Sequence, residues 1–193
     1  MEIPQDKRRG LAEALVEYME RCSEAQREVA GRLLEFVCAT PDCFERSHAA
    51  GHITGSAWLV SPDGGNVLLT LHHKLQKWLQ PGGHADGDPD TLRTSLREAT
   101  EESGITGISP VSRKIWDVDI HTIPARPAAG EPEHLHYDVR YILRAPHTDY
   151  TVSAESVRLA WFGFEEIAGI IPSTDESVLR MARLWKEGGI PAK

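Results

Sequence analysis

Gly83-His-Ala-Asp-Gly-Asp-Pro89-Asp-Thr-Leu-Arg-Thr-Ser-Leu-Arg97-Glu-Ala-Thr-Glu-Glu-Ser-Gly-Ile105 is the stretch on which the reading of this chain turns. Its second half has helical spacing. Leu92, Leu96 and Ala99 recur as an apolar stripe, and Gly104 marks the stop. Asp88 is placed to cap this helix, with Pro89 at its first position and the helix running from Asp90 to Ser103. Glu98, Glu101 and Glu102 then fall at i, i+3 and i+4, so three carboxylates share one face. Bare like charges at that spacing weaken a helix. A divalent cation reverses the sign, because hard oxygen donors on a rigid helix suit Mg²⁺ or Mn²⁺. Arg97, four residues before Glu101, is placed to orient it. A solvated acidic face is the competing reading.

Working outward, the upstream segment is β-rich. His52–Val60 and Val67–His72 read as two strands of a hairpin around Ser61-Pro-Asp-Gly-Gly-Asn66, and 78–80 as a short extended piece. Downstream, Ile115–Ile123, Leu135–Leu143 and Arg158–Phe164 read as strands. Glu165 and Glu166 have the character of surface or helix-start acids. Residues 173–186 form a closing helix, with Ser173 and Glu176 as a capping box. Before Gly51 the pattern is helical over 7–38. Leu11, Leu15 and Tyr18 make one stripe and Val29, Leu33, Leu34 and Val37 another, with Ser23 and Gln26 as a capping box between them. This N-terminal hairpin is a packing extension or an arm for a homodimer. Strands and helices without regular βαβ alternation predict an α+β fold with a mixed sheet.

Composition narrows the function classes. The chain has 193 residues, 40% hydrophobic and 26% charged, enough for a core without disulfides. Its formal charge is −8 and no basic run exceeds Lys7-Arg8-Arg9, so long nucleic acid is an unexpected partner. Apolar runs such as Val67-Leu68-Leu69 and Gly169-Ile170-Ile171 are too short to span a bilayer. The start of the chain lacks the pattern of a secretory signal. With Cys22, Cys38 and Cys43 in no metal-binding spacing, free thiols in the cytoplasm are expected.

The stretch from Gly83 resembles the box of the Nudix hydrolase family: Gly, five residues, Glu, seven residues, then Arg-Glu-hydrophobic-x-Glu-Glu-x-Gly-hydrophobic. Every spacing matches. Pro89 stands where the first Glu belongs, and Asp86 or Asp88 of the same loop could substitute for it. The likeness extends from Gly51 to about Ile171 and implies an α/β/α sandwich with a mixed β-sheet, preceded by the helical hairpin. It divides the chain into an extension, 1–45, and a hydrolase domain, 46–193. It further implies metal-dependent hydrolysis of a diphosphate linkage in a nucleoside diphosphate joined to another moiety, or in a related small molecule. Glu98, Glu101, Glu102 and the Gly83 carbonyl would hold Mg²⁺ or Mn²⁺. Glu155, six residues before Trp161, is either the general base or a solvated loop acid. Tyr137, Arg140, Trp116, Arg126 and the 124–133 loop are candidates to shape the substrate pocket. A non-catalytic, ligand-sensing module on the same fold is the alternative.

The nine histidines supply a second signal. His134, His136 and Asp138 alternate and so share a strand face. Imidazoles so placed suit a transition metal, Zn²⁺ or Mn²⁺, or else line a polar face. His52-Ile-Thr-Gly-Ser-Ala-Trp58 and Gly82-Gly83-His84 are similar to metal-binding segments of the type I isopentenyl-diphosphate isomerase. That likeness implies convergence of His52, His84, His134 and His136; His72-His73 and His121 are further candidates from the histidine set itself. Isomerase activity is disfavoured, since Gly82 stands where the isomerase has its catalytic cysteine.

Overall fold

A computed structural model describes residues 2–72, 76–127, 130–152, 156–169 and 174–188. In chain order the elements are α1 (Arg9–Met19), α2 (Glu24–Ala39), β1 (Gly51–Val60), β2 (Val67–His72), β3 (Trp78–Leu79), β4 (Gly82–His84), α3 (Thr91–Ser103), β5 (Ser109–Pro110), β6 (Asp117–Ile123), β7 (His134–Arg144), β8 (Ser156–Phe162), α4 (Phe164–Gly169) and α5 (Glu176–Gly188). Strands pair in the order β3-β2-β1-β7-β5, with β4 on β1, β6 on β7 and β8 on β2. The hairpin ladders are antiparallel. Between β1 and β7 the partner numbers rise together, Leu135 N donating to Ala50 O and Ala145 N to Val60 O, so that pair is parallel. The architecture is α+β on a mixed sheet, as the sequence leads one to expect.

Two compact units make up the chain, and β1, α3 and β7 each contribute residues to both. The first holds residues 1–55, 83–94 and 114–140. Its helical hairpin buries Leu11, Ala12, Leu15 and Tyr18 of α1 and Ala30, Leu33, Leu34 and Val37 of α2. Spacings of three and four residues put each set on one helix face. Ser23 caps α2 by accepting from Gln26 N. The other end of α2 is closed by a side chain from outside the helix. Buried Arg8 donates to the carbonyls of Val37 and Cys38, each at 3.0 Å, while Asp6 grips the same guanidinium at 2.7 Å. Those carbonyls are orphans of the last turn, and a cation suits the negative end of the helix. Tyr137 of β7 stacks on Phe36 of α2 with ring centroids 3.9 Å apart.

The second unit holds residues 56–82, 95–113 and 141–193. Leu59 and Val60 of β1 face Leu68 and Val67 of β2, and β2 carries a long ladder to β8 from Val67↔Phe162 to His72↔Ser156. Val178, Met181, Ala182 and Trp185 of α5 are buried, Trp185 edge-on to Trp58 at 5.9 Å. Asp175 caps α5, its carboxylate accepting from Ser177 N; the expected cap, Ser173, lies outside the described residues. Glu166 caps α4 by accepting from Gly163 N at 2.7 Å, which bears out the reading of this acidic pair as a helix start. In α3, Ala99 is buried whereas Leu96 is only half-buried. Gly104 ends that helix at φ +69°, a left-handed conformation that a side chain disfavours.

Two short elements carried no advance signal. The strands β4 and β5 have three and two residues, too few for a period to show. The start of α3 also needs correction. Asp90, not Asp88, is its cap, accepting from Arg93 N at 3.0 Å. Asp88 accepts from Asp90 N and pairs with Arg93. Pro89 therefore precedes the cap, where its fixed φ and missing N–H cost the helix nothing.

Candidate functional site

The acidic helix belongs to the second unit. Arg97 Nη1 lies 2.7 Å from Glu98 and 3.1 Å from Glu101, so one guanidinium clasps two of the three carboxylates. Burial alone would lower the Arg97 pKa, but Glu98 and Glu101 outweigh it and the net shift is upward. The Glu98 side chain is 13% exposed and that of Glu101 59%. Glu102 is fixed differently: its Oε1 accepts from Gly82 N at 2.8 Å. This bond is possible because Gly82 lies against the β1 backbone, where an added Cβ would come within 2.8 Å of Ser56 Cα. The same crowding excludes the isomerase's cysteine at this position. Each glutamate is thus oriented, and hard oxygen donors on one rigid helix fit a divalent cation.

The histidines belong to the first unit, and the register of β6 with β7 explains their grouping. Asp117 faces Arg140, Asp119 faces Asp138, His121 faces His136 and Ile123 faces His134. Directly opposed residues on a ladder share a face, so one face carries, in order, an aspartate–arginine layer and an imidazole layer. His52 of β1 and His84 of β4 complete the imidazole layer. Ring centroids of His52 lie 4.9 Å from His84, 5.0 Å from His134 and 4.9 Å from His136. His84 and His136 are 5.1 Å apart, and His121 stands 5.4 Å from His136. Ligand atoms of His52, His84 and His136 all fall within 4.8 Å of one another. The four histidines singled out from the sequence therefore converge, with His121 beside them.

Burial favours the neutral form of His52, His84 and His136. It lowers the His136 pKa to about 2 and that of His52 to about 4, and it lowers that of His84 as well; neighbouring cationic forms add to the effect. Neutral imidazole is the form that ligates metals. Beneath lies the aspartate–arginine layer. Arg140 is 1% exposed and reaches Asp138 at 2.7 Å, Asp117 at 3.1 Å and Asp119 at 3.3 Å. Burial opposes its charge, yet the three carboxylates hold its pKa above the usual range. Thr54 of β1 donates to Asp138 at 2.9 Å. Asp119 also lies 3.1 Å from His121 Nδ1, which links the two layers.

No family model matches the chain. A hydrolase described as of the NUDIX family, from Clostridium perfringens, superposes with a TM-score of 0.51 at 26% identity, over 72% of this chain and 98% of that one. The fold is that of the Nudix hydrolases. An Ap4A hydrolase of C. elegans superposes with a TM-score of 0.52 at 18% identity, over 70% of this chain and 96% of that one. In sequence, a probable DHNTP pyrophosphohydrolase of Lactococcus lactis subsp. cremoris (strain MG1363) is 32% identical over 99 residues, 51% of this chain. The chain spans 56% of that relative's length.

Within the Nudix fold the residues picked for a substrate pocket part company. Arg140 is buried and committed to three aspartates, so it organises the β6–β7 face instead of meeting substrate. Tyr137 projects from the opposite face of β7 onto Phe36 and serves the packing of the hairpin. Trp116 is half-buried beside the same strand, its N–H donating to Arg140 O. Arg126 does line a cavity, together with Arg46, His48, His52, His84 and His134. Gly83 sits in β4. Glu155 and His73 lie outside the described residues. Asp88, offered as a stand-in for the missing first Glu of the Nudix box, is engaged by Arg93.

Sequence reading missed Asp117 and Asp119 as site components. The signal was present, because Asp117-Val-Asp-Ile-His121 alternates as plainly as His134-Leu-His-Tyr-Asp138.

Proposed function

We propose that this chain is a metal-dependent pyrophosphohydrolase that cleaves a diphosphate linkage in a small molecule, a nucleoside diphosphate joined to another moiety or a close relative. The observation that carries the reading is the oriented set Glu98, Glu101 and Glu102 on α3, with Arg97 across two of them and the Gly82 N–H on the third. In this reading the three glutamates and the Gly83 carbonyl hold Mg²⁺ or Mn²⁺. Such ions, when bound, offset the charge of the diphosphate and acidify bound water. The chain's own contribution is positioning. Arg97 keeps Glu98 and Glu101 aligned, and the Gly82 amide holds Glu102. Glu155 is the proposed general base. The histidine layer is proposed as a second site for Zn²⁺ or Mn²⁺. Residues 46–193 form the proposed hydrolase domain and residues 1–45 its extension, which could join two copies in a homodimer. No helix among the described residues is long and apolar enough to cross a membrane, and a cytoplasmic location is proposed.

The deciding experiment is a phosphate-release screen over a library of diphosphates with Mg²⁺ or Mn²⁺, run beside Glu101→Gln/Glu102→Gln. The expected result is metal-dependent turnover of one substrate class. The double variant should fold normally and lose on the order of a hundredfold or more in kcat/KM, as removal of preorganised charge stabilisation does. Full activity in the double variant would refute the mechanism. No turnover of any diphosphate by the parent chain would favour a ligand-sensing module, in line with Pro89 in place of the first Glu.

A further inference from the structure

We infer that His52, His84 and His136 ligate one zinc-class cation whose open coordination position faces the cavity flanked by Arg46 and Arg126, where it takes a phosphate oxygen. The inference rests on the reading of the chain as acting on a diphosphate only for the choice of phosphate. The metal part stands on the imidazoles alone.

Two observations support the ligand set. His52 is 3% exposed, and neither of its ring nitrogens has a hydrogen-bond partner. Leaving such a group bare costs about 1–3 kcal/mol, which a bound ion would remove. Nitrogens from His52, His84 and His136 lie within 4.8 Å of one another. Ligands about 2.0–2.1 Å from a tetrahedral ion stand roughly 3.4 Å apart, so the rings need close by only about an ångström or so. His134 stands beside the set, not in it: its Nδ1 lies 2.9 Å from the Pro132 carbonyl and its Nε2 3.3 Å from His136 Nε2.

The donor set selects the ion. Imidazole nitrogens favour zinc, copper, nickel or iron over magnesium and calcium, so this site and the glutamates of α3 call for different metals. The cavity selects the further ligand. Its volume is about 200 Å³, and His52 and His84 form part of its wall. Three imidazoles leave a fourth position, which in an open zinc site takes water or substrate. Arg46 and Arg126 share one counter-charge, Glu131: Arg126 is paired with it and Arg46 lies 4.0 Å away. Among the described residues that line the cavity, one positive charge is therefore in excess. A carboxylate or a phosphate could answer it, and the doubled charge of phosphate fits both the ion and the guanidinium.

The test uses Co²⁺ as a coloured stand-in for zinc on the full chain stripped with a chelator. One equivalent should bind with visible d–d bands of low coordination number, and equally in Glu101→Gln/Glu102→Gln, where the α3 carboxylates cannot contribute. Affinity should fall by more than about tenfold in His84→Gln/His136→Asn, whereas His136→Asp, which keeps a ligand atom, should retain binding with shifted bands. Adding inorganic phosphate should perturb the bands at concentrations where acetate does not. Arg46→Ala/Arg126→Ala should need about tenfold more phosphate while binding Co²⁺ unchanged, the loss of a charge-assisted contact being of that order. Absence of bands, or bands that survive in His84→Gln/His136→Asn, would overturn the metal site. Bands blind to phosphate, or equally responsive to acetate, would overturn the open phosphate position. Hydrolysis lost in Glu101→Gln/Glu102→Gln with cobalt bands intact would show the two readings to stand separately.

Discussion

Arg8 illustrates how much a single side chain far from any reactive group can decide. Its guanidinium bonds two terminal carbonyls of α2 and the Asp6 carboxylate. The Arg8 contact holds the Asp6 pKa down to about 2. Arg8→Ala should lower the stability of the chain by about 2 kcal/mol, the range for hydrogen bonds to a charged group, as read from urea unfolding. Arg8→Lys should recover little, because an ammonium cannot reproduce the fork. Cys43 makes a second prediction at this scale. It is fully buried, and burial pushes its thiol up to about 12. Since only the thiolate reacts, Cys43 should remain unmodified by iodoacetamide at mildly alkaline pH in the folded chain. Peptide mass mapping checks this, and labelling of Cys43 at the rate of an unfolded thiol would contradict the burial.

Among the elements, the β6–β7 pair carries the most. Removing Arg140 takes from Asp117, Asp119 and Asp138 the buried guanidinium they share. Arg140→Met should cost about 3–5 kcal/mol in chemical denaturation, the range for breaking a buried ion pair from one side. The triple change Arg140→Met/Asp117→Asn/Asp138→Asn should recover part of that loss. The histidines on the same ladder were legible in the sequence, because period-two alternation needs no tertiary information. The acidic face of α3 was legible for the same kind of reason at period 3.6. The fates of Arg140 and Tyr137 were not. A strand pattern says which residues share a face, but not which face meets a helix and which meets an imidazole layer. Only the stack of Tyr137 on Phe36 fixes that assignment. The N-cap of α3 was misplaced by two residues because Asp88 and Asp90 are chemically alike, and their division of labour depends on where Arg93 reaches.

At the scale of the whole molecule, the formal charge of −8 sets the long-range field. Binding of a single-stranded RNA of some tens of nucleotides should be undetectable in a filter assay at physiological salt. Retention that weakens steeply as salt rises would expose a basic surface that the composition does not suggest. The class of the fold was readable because its strands and helices each carry a strong period and clear turns. The N-terminal hairpin was equally plain as two amphipathic helices, although nothing in its sequence announced that Arg8 would lock it.

The shared face of β6 and β7 also governs how this gene can change in length. Inserting or deleting one codon within Asp117–Ile123 or His134–Arg140 would turn every aspartate, arginine and histidine beyond that point to the wrong side. The intervening segment 124–133, a turn-rich connection closed by the Arg126–Glu131 bridge, imposes no such parity. Length variation among related genes should therefore collect there and vanish on either side of it.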